Sequence, residues 1–173
     1  MPETGQKRSG SFRLGVISDT HGILEHEVER AFREANLNGI IHAGDIGGPE
    51  VIRRLSGIAE VSAIGGNSDP RPFATRFPER LALTFNGCKI LVIHDLGREL
   101  HPSAEVEAWI LREDPRVVIF GHLHRPVQEE REGILYFNPG SAGLARGEDP
   151  RSFGYLRIGP NDDLESRVEN LGD

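Results

Sequence analysis

The stretch Phe12-Arg13-Leu14-Gly15-Val16-Ile17-Ser18-Asp19-Thr20-His21-Gly22 sets the pattern for the rest of the chain. Phe12 to Ser18 reads as a strand carrying Leu14, Val16 and Ile17, and Asp19-Thr20-His21-Gly22 follows directly on its end. Leu24, Val28, Phe32 and Ala35 then recur at helical spacing. Gly39 to Ala43 forms a second short buried strand, which runs out into Gly44-Asp45. Pro49 opens a second helix, with Val51, Ile52 and Leu55 on one face and Gly57 beyond its end. Glu60 to Ile64 is a third strand, and Gly65-Gly66-Asn67-Ser68-Asp69 follows it.

Downstream the pattern changes from parallel-type units to hairpins. Leu81 to Phe85 and Cys88 to Ile93 flank Asn86-Gly87, a pair suited to a two-residue turn, so they should be antiparallel. His94 follows the second of them. A helix with Val106, Trp109 and Ile110 comes next, capped by Ser103. Arg116 to Phe120 leads into Gly121-His122-Leu123-His124, and Ile134–Phe137, Phe153–Ile158 and Leu164–Val168 are further strands. This order predicts a mixed α/β sandwich rather than a uniformly doubly wound sheet.

Composition bounds the function. With 173 residues the chain can build one domain, here 12–173, preceded by a polar tail over 1–11. The 20 basic and 27 acidic residues give a formal net charge of −7, which excludes coating of nucleic acid or anionic membrane by bulk charge. No apolar run approaches the roughly 18 residues of a membrane span, and Met1 to Ser11 lacks the apolar core of a signal peptide. A single cysteine, Cys88, fits a reducing compartment, so the expectation is a cytoplasmic protein. A homo-oligomer is compatible with the sequence.

Five successive strand ends therefore present carboxylate, imidazole or amide groups, with glycine beside most of them. Ligand sites in open α/β sheets gather outside the carboxyl ends of strands. Imidazole, carboxylate and amide oxygen together suit Mn, Fe, Co, Ni or Zn, and the lack of cysteine among them argues against a thiolate-selected metal. Two dications against Asp19 and Asp45 leave a formal charge of about +2, which attracts a phosphate ester despite the acidic surface. Taken singly each motif is weak: Asp-x-His after a strand is commonly a turn or cap, and a lone His94 would more often be a partly buried histidine. His122 and His124, one residue apart, would point to the same side of an extended segment. The joint occurrence, in order and at consecutive strand ends, carries the reading.

Asp19-x-His21, Gly44-Asp45, Gly66-Asn67-x-Asp69, His94 and Gly121-His122-x-His124 resemble the motif series of calcineurin-like metallophosphoesterases. Gly66-Asn67-Ser68-Asp69 and Asn138-Pro139-Gly140-Ser141 look most like the small phosphodiesterase branch, which includes the retromer subunit of the vacuolar sorting type. The resemblance implies a four-layer αββα sandwich of two mixed sheets flanked by helices, with a dinuclear centre at the strand ends. Asp19, His21 and His124 would hold one divalent ion, Asn67, His94 and His122 the other, and Asp45 would bridge them, with Mn the foremost metal. Catalysis would pass through Asp45, Asn67 and His94 with a bridging hydroxide that attacks phosphorus. The implied function is a metal-dependent phosphodiesterase; the alternatives are a phosphomonoesterase or nuclease with the same centre, or a non-catalytic protein-interaction scaffold.

Two positions depart from the family. Ser68 stands where larger members have a histidine proposed to protonate the leaving group, and a hydroxyl is a poor acid, which leaves Asp69 as a substitute candidate. Asp95 stands where glycine commonly follows the histidine, so it either adopts positive φ or partners a ligand. His42 is expected in the core or behind the ligands, and His26 and His101 at the surface. Asn138-Pro139-Gly140-Ser141 is a candidate lining of the site, and Arg125 and Arg146 are candidate phosphate clamps.

Overall fold

The computed structural model describes residues 10–97, 100–145, 147–160 and 163–172; Arg146 and the first nine positions of the expected tail lie outside them. In chain order the elements are β1 (Phe12–Ile17), α1 (His26–Glu34), β2 (Gly39–His42), α2 (Pro49–Ser56), β3 (Val61–Ala63), β4 (Arg80–Phe85) and β5 (Cys88–Ile93). They are followed by α3 (Ala104–Glu113), β6 (Val117–Ile119), β7 (Pro126–Arg131), β8 (Ile134–Pro139), β9 (Ser152–Ile158) and β10 (Leu164–Asn170). One sheet runs β10-β9-β1-β2-β3, the other β4-β5-β6-β8-β7. Strands β1, β2 and β3 are mutually parallel, as are β5, β6 and β8, while β4, β7, β9 and β10 pair antiparallel.

Period-two alternation builds the layers. Leu14, Val16 and Ile41 of the first sheet meet Ile90, Val92, Val117, Ile119 and Phe137 of the second in one core. Their neighbours Ile17 and Ile40 face the other way, onto Val28 and Phe32 of α1 and Val51 and Leu55 of α2. Leu91, Ile93, Val118 and Phe120 likewise turn outward onto Trp109 and Ile110 of α3. The result is the expected αββα sandwich. At about 1.5–3 kcal/mol for each large apolar side chain fully buried, these three clusters are the main favourable term in its stability.

Local signals also act as read. Asn86 and Gly87 both have positive φ (50° and 82°), the geometry of the tight turn joining β4 to β5. Ser103 caps α3 by accepting from the Val106 amide at 3.4 Å. The sequence pattern missed β7. Its residues Gln128, Glu129, Glu130 and Arg131 are exposed and offer no apolar alternation, and β7 exists because β8 supplies its hydrogen bonds. Charge on such an outer strand blunts the tendency of an open edge to pair with another chain.

Candidate metal centre

The parallel ladder between β1 and β2 continues past the ends of both strands. Ala43 N donates to Ile17 O (2.9 Å), Asp19 N to Gly44 O (3.0 Å), His21 N to Asp45 O (2.9 Å) and Gly22 N to Ile46 O (2.8 Å). The turn bearing Asp19 and His21 is thereby zipped to the turn bearing Asp45. On its other side Ser141 Oγ donates to the Asp19 carbonyl at 2.9 Å, and Ala142 N donates to Ser18 O at 3.1 Å. Within these turns Asp19, His21 and Asp45 all adopt left-handed backbone, with φ of 53°, 47° and 53°.

The first group of side chains comprises Asp19, His21, Asp45 and His124, with one donor atom from each lying within 4.8 Å of the others. His124 Nε2 stands 3.1 Å from Asp19 Oδ1 and 3.2 Å from His21 Nε2, and His21 Nε2 is 3.8 Å from Asp45 Oδ2. Asp19 Oδ2 is occupied, accepting from Ser18 Oγ (2.6 Å) and the His122 amide (3.0 Å). Asp19 Oδ1 is buried and, although His124 Nε2 stands beside it, it receives no well-directed hydrogen bond among the described residues. A buried carboxylate oxygen without a donor is costly unless a cation answers it. The residues present could hold one.

The second group is Asn67, His94 and His122. His94 Nδ1 lies 2.8 Å from the Ala43 carbonyl, which can only accept, so Nδ1 carries the proton and Nε2 turns a lone pair into the site. That lone pair faces Asn67 Oδ1 at 3.0 Å and Asp45 Oδ2 at 3.4 Å. Asn67 Oδ1 is also 3.1 Å from His122 Nδ1. Asp45 Oδ2 thus lies between the groups, while its Oδ1 accepts from the Ser68 amide at 2.8 Å. Several acceptors aimed at one another across about 3 Å are the arrangement a shared cation satisfies.

Electrostatics agree with this geometry. Burial pushes Asp45 upward, but His94 and the Ser68 amide and side chain outweigh it and hold the carboxyl well below its usual range. For Asp19, burial is likewise outweighed by His124, His94 and Ser18, so its pKa is lowered. His94 is opposed by burial and raised on balance by Asp45 and Asp19. His42 is fully buried and pushed down to about 3 by burial, so its imidazole is neutral at ordinary pH.

All seven expected residues therefore come together, with three corrections to how they do so. His122 and His124 do not project from an extended segment: both have left-handed backbone (φ 65° and 58°), which sends His122 to the second group and His124 to the first. Asp69 is not placed as an acid, because Oδ1 accepts from the Gly47 amide (2.7 Å) and Oδ2 from the Gly66 amide (2.8 Å), fastening two ligand-bearing turns together. Asn138 and Ser141 are fully buried behind the site, where Asn138 Nδ2 donates to Gly121 O at 2.7 Å; they brace it rather than line it. Of the two alternatives for Asp95 the structure takes the second: its φ is not positive, and its carboxylate lies 3.9 Å from His122 Nε2.

Other expectations hold. His26 and His101 are exposed, and His42 is buried next to the centre; Arg125, a candidate phosphate clamp, is exposed. Two glycines matter through lack of bulk: a Cβ on Gly66 would overlap Asp45, and one on Gly121 would overlap Ser18 Oγ and crowd Asp19 Oδ2. A cleft of about 480 Å³ adjoins Asn67 and His94 and is also lined by Arg71, Thr75, Phe77 and Arg80. Sequence reading gave no role to Thr20 or Ser141 in holding the turns, since each acts through a bond to a residue distant in sequence.

The sandwich and its cluster of Asp, Asn and His at the strand ends define a metallophosphoesterase fold. Residues 12–160 match the family model of the calcineurin-like phosphoesterase superfamily domain, and the chain belongs to that family. Among its relatives, a protein of Methanothermobacter thermautotrophicus named "Probable metallophosphoesterase" is 32% identical over 167 residues, spanning 92% of each chain. Phosphodiesterase YfcE of Escherichia coli is 29% identical over 174 residues, covering 83% of this chain and 86% of its own. In fold the chain is similar to Vps29 of Entamoeba histolytica, solved in complex with Zn²⁺, with a TM-score of 0.72 and 21% identity over 92% of this chain and 99% of that one.

Proposed function

We propose that the protein is a divalent-metal-dependent phosphodiesterase whose centre holds two ions. The observation that carries this is Asp45 Oδ2, set between one group of Asp19, His21 and His124 and another of Asn67, His94 and His122. Bound dications would supply Lewis acidity and, by lowering the pKa of water to about 7, a nucleophilic hydroxide at neutral pH. The protein's part is to keep Asp45 and Asp19 ionised, to fix the His94 tautomer through the Ala43 carbonyl, and to aim the remaining lone pairs inward. Ser68 contributes its backbone amide to Asp45, so the chain offers no imidazole at the family's proton-donor position. That favours esters with an acidic leaving group, which need little help in departing. The phosphodiesterase name of the E. coli relative supports a diester, and Mn²⁺ is the ion proposed because the nitrogen and oxygen ligands suit it. The single Cys88, in turn, fits a reducing, cytoplasmic setting.

The test is turnover of an aryl phosphodiester with Mn²⁺. Wild type should be active, and Asp45→Asn should lose at least about 100-fold, since even outer-shell changes at metal centres cost about 10–100-fold. Equal turnover in the two proteins, or none above buffer, would sink the reading. The Vps29 likeness motivates a second one, a protein-binding scaffold without catalysis. Partner binding that survives Asp45→Asn, in a protein with no esterase activity on monoesters or diesters, would favour that scaffold.

A further inference from the structure

His42 ends β2, next to both ligand-bearing turns, and is fully buried. Its Nε2 lies 2.9 Å from Thr20 Oγ1, and Thr20 Oγ1 lies 2.9 Å from the Ile46 carbonyl. A carbonyl only accepts, so the single hydroxyl proton of Thr20 goes to Ile46, and Thr20 must accept the proton on His42 Nε2. The order is fixed: His42 Nε2–H to Thr20 Oγ1–H to Ile46 O. His42 Nδ1 is then a bare lone pair, buried and without a partner among the described residues.

An imidazole with one orphaned nitrogen is a poor choice for a layer otherwise packed with Ile17, Ile40, Ile46, Val51 and Leu55. Leucine or phenylalanine would suit that layer better. What His42 alone provides is a neutral donor at Thr20. Thr20 lies between Asp19 and His21, both left-handed, and its bond to Ile46 ties that turn to the one bearing Asp45.

We propose that His42 is a positioning residue for the first metal. Its Nε2–H holds Thr20, and through Thr20 the turn that sets Asp19 and His21 to share one cation with His124. The proposal rests on the metal-dependent reading above. It separates from that reading through Mn²⁺ affinity rather than turnover.

Mn²⁺ binding is measured by calorimetry on wild type, His42→Phe, Thr20→Val, the double variant and His42→Gln. Loss of an outer partner of a metal site costs about 10–100-fold in affinity, so His42→Phe and Thr20→Val should each weaken binding by that range. The double variant should be no weaker than the worse single one, because the two changes break the same chain of bonds. His42→Gln, whose amide nitrogen can still donate to Thr20, should recover most of the affinity. Thr20→Val, which keeps the shape of the side chain, carries the test if His42→Phe does not fold. Unchanged affinity in Thr20→Val, additive losses in the double variant, or failure of Gln to rescue would each overturn the positioning role while leaving the metal reading intact. Absence of Mn²⁺ binding in wild type would overturn both.

Discussion

Asp19, His21, Asp45, His122 and His124 all stand in the left-handed region, where a side chain other than glycine's costs about 1–3 kcal/mol apiece. Asp and His tolerate this conformation better than most residues, and the surrounding bonds hold it. The cost is consistent with a site built for binding rather than for the fold's own stability. It gives a direct prediction at His122, the most exposed of the four candidate ligand histidines His21, His94, His122 and His124. In metal-free protein His122→Gly should be more stable than His122→Ala by about 1 kcal/mol, since only alanine carries a Cβ into the left-handed backbone. Urea unfolding measures the difference. The reverse order, normal for a helix interior, would mean that the backbone relaxes and stores no strain there.

At the scale of elements, much was legible because burial writes itself into sequence. The pair Ile40-Ile41 serves two layers, and a short apolar run reads as a strand buried on both faces. The ligand set was legible because its chemistry lies in residue type and each member follows an apolar run. What could not be read depends on contacts between distant segments. Asp69 reads only as a substitute candidate for the acid, and the Gly47 and Gly66 amides occupy its carboxylate; β7 has no apolar pattern of its own. Backbone handedness at His122 and His124 was equally hidden: the contacts around this turn, the His122 amide on Asp19 Oδ2 and Gly121 close against Ser18 and Asp19, join segments about a hundred residues apart. Where local signals suffice, local changes should act locally. Ser103→Ala should lower stability by about 0.5–1 kcal/mol through loss of the α3 cap, the low end fitting its long 3.4 Å bond. Because α3 packs on the outer face of the second sheet, Mn²⁺ affinity should stay unchanged. Calorimetry and denaturant titration of the same variant would reveal any coupling.

For the whole molecule, a metal that binds only the folded state must stabilise it by mass action. At 100 times Kd this contributes about 2.7 kcal/mol. For a chain of 173 residues, at about 2–4 °C per kcal/mol, the melting temperature should rise by roughly 5–11 °C. Scanning calorimetry with Mn²⁺ and with chelator checks the shift, and Asp45→Asn should lose most of it. No helix among the described residues is long and apolar enough to cross a membrane.

The brace formed by Ser141 and Ala142 has a consequence for the order in which the protein matures. Asp19, His21 and Asp45 leave the ribosome before His122 and His124, which emerge some hundred residues after Asp19, and the brace follows later still. A nascent chain can therefore zip its first two turns together well before it can close either half of the proposed centre. Capture of the proposed ions would then follow the pairing of these first turns instead of seeding it.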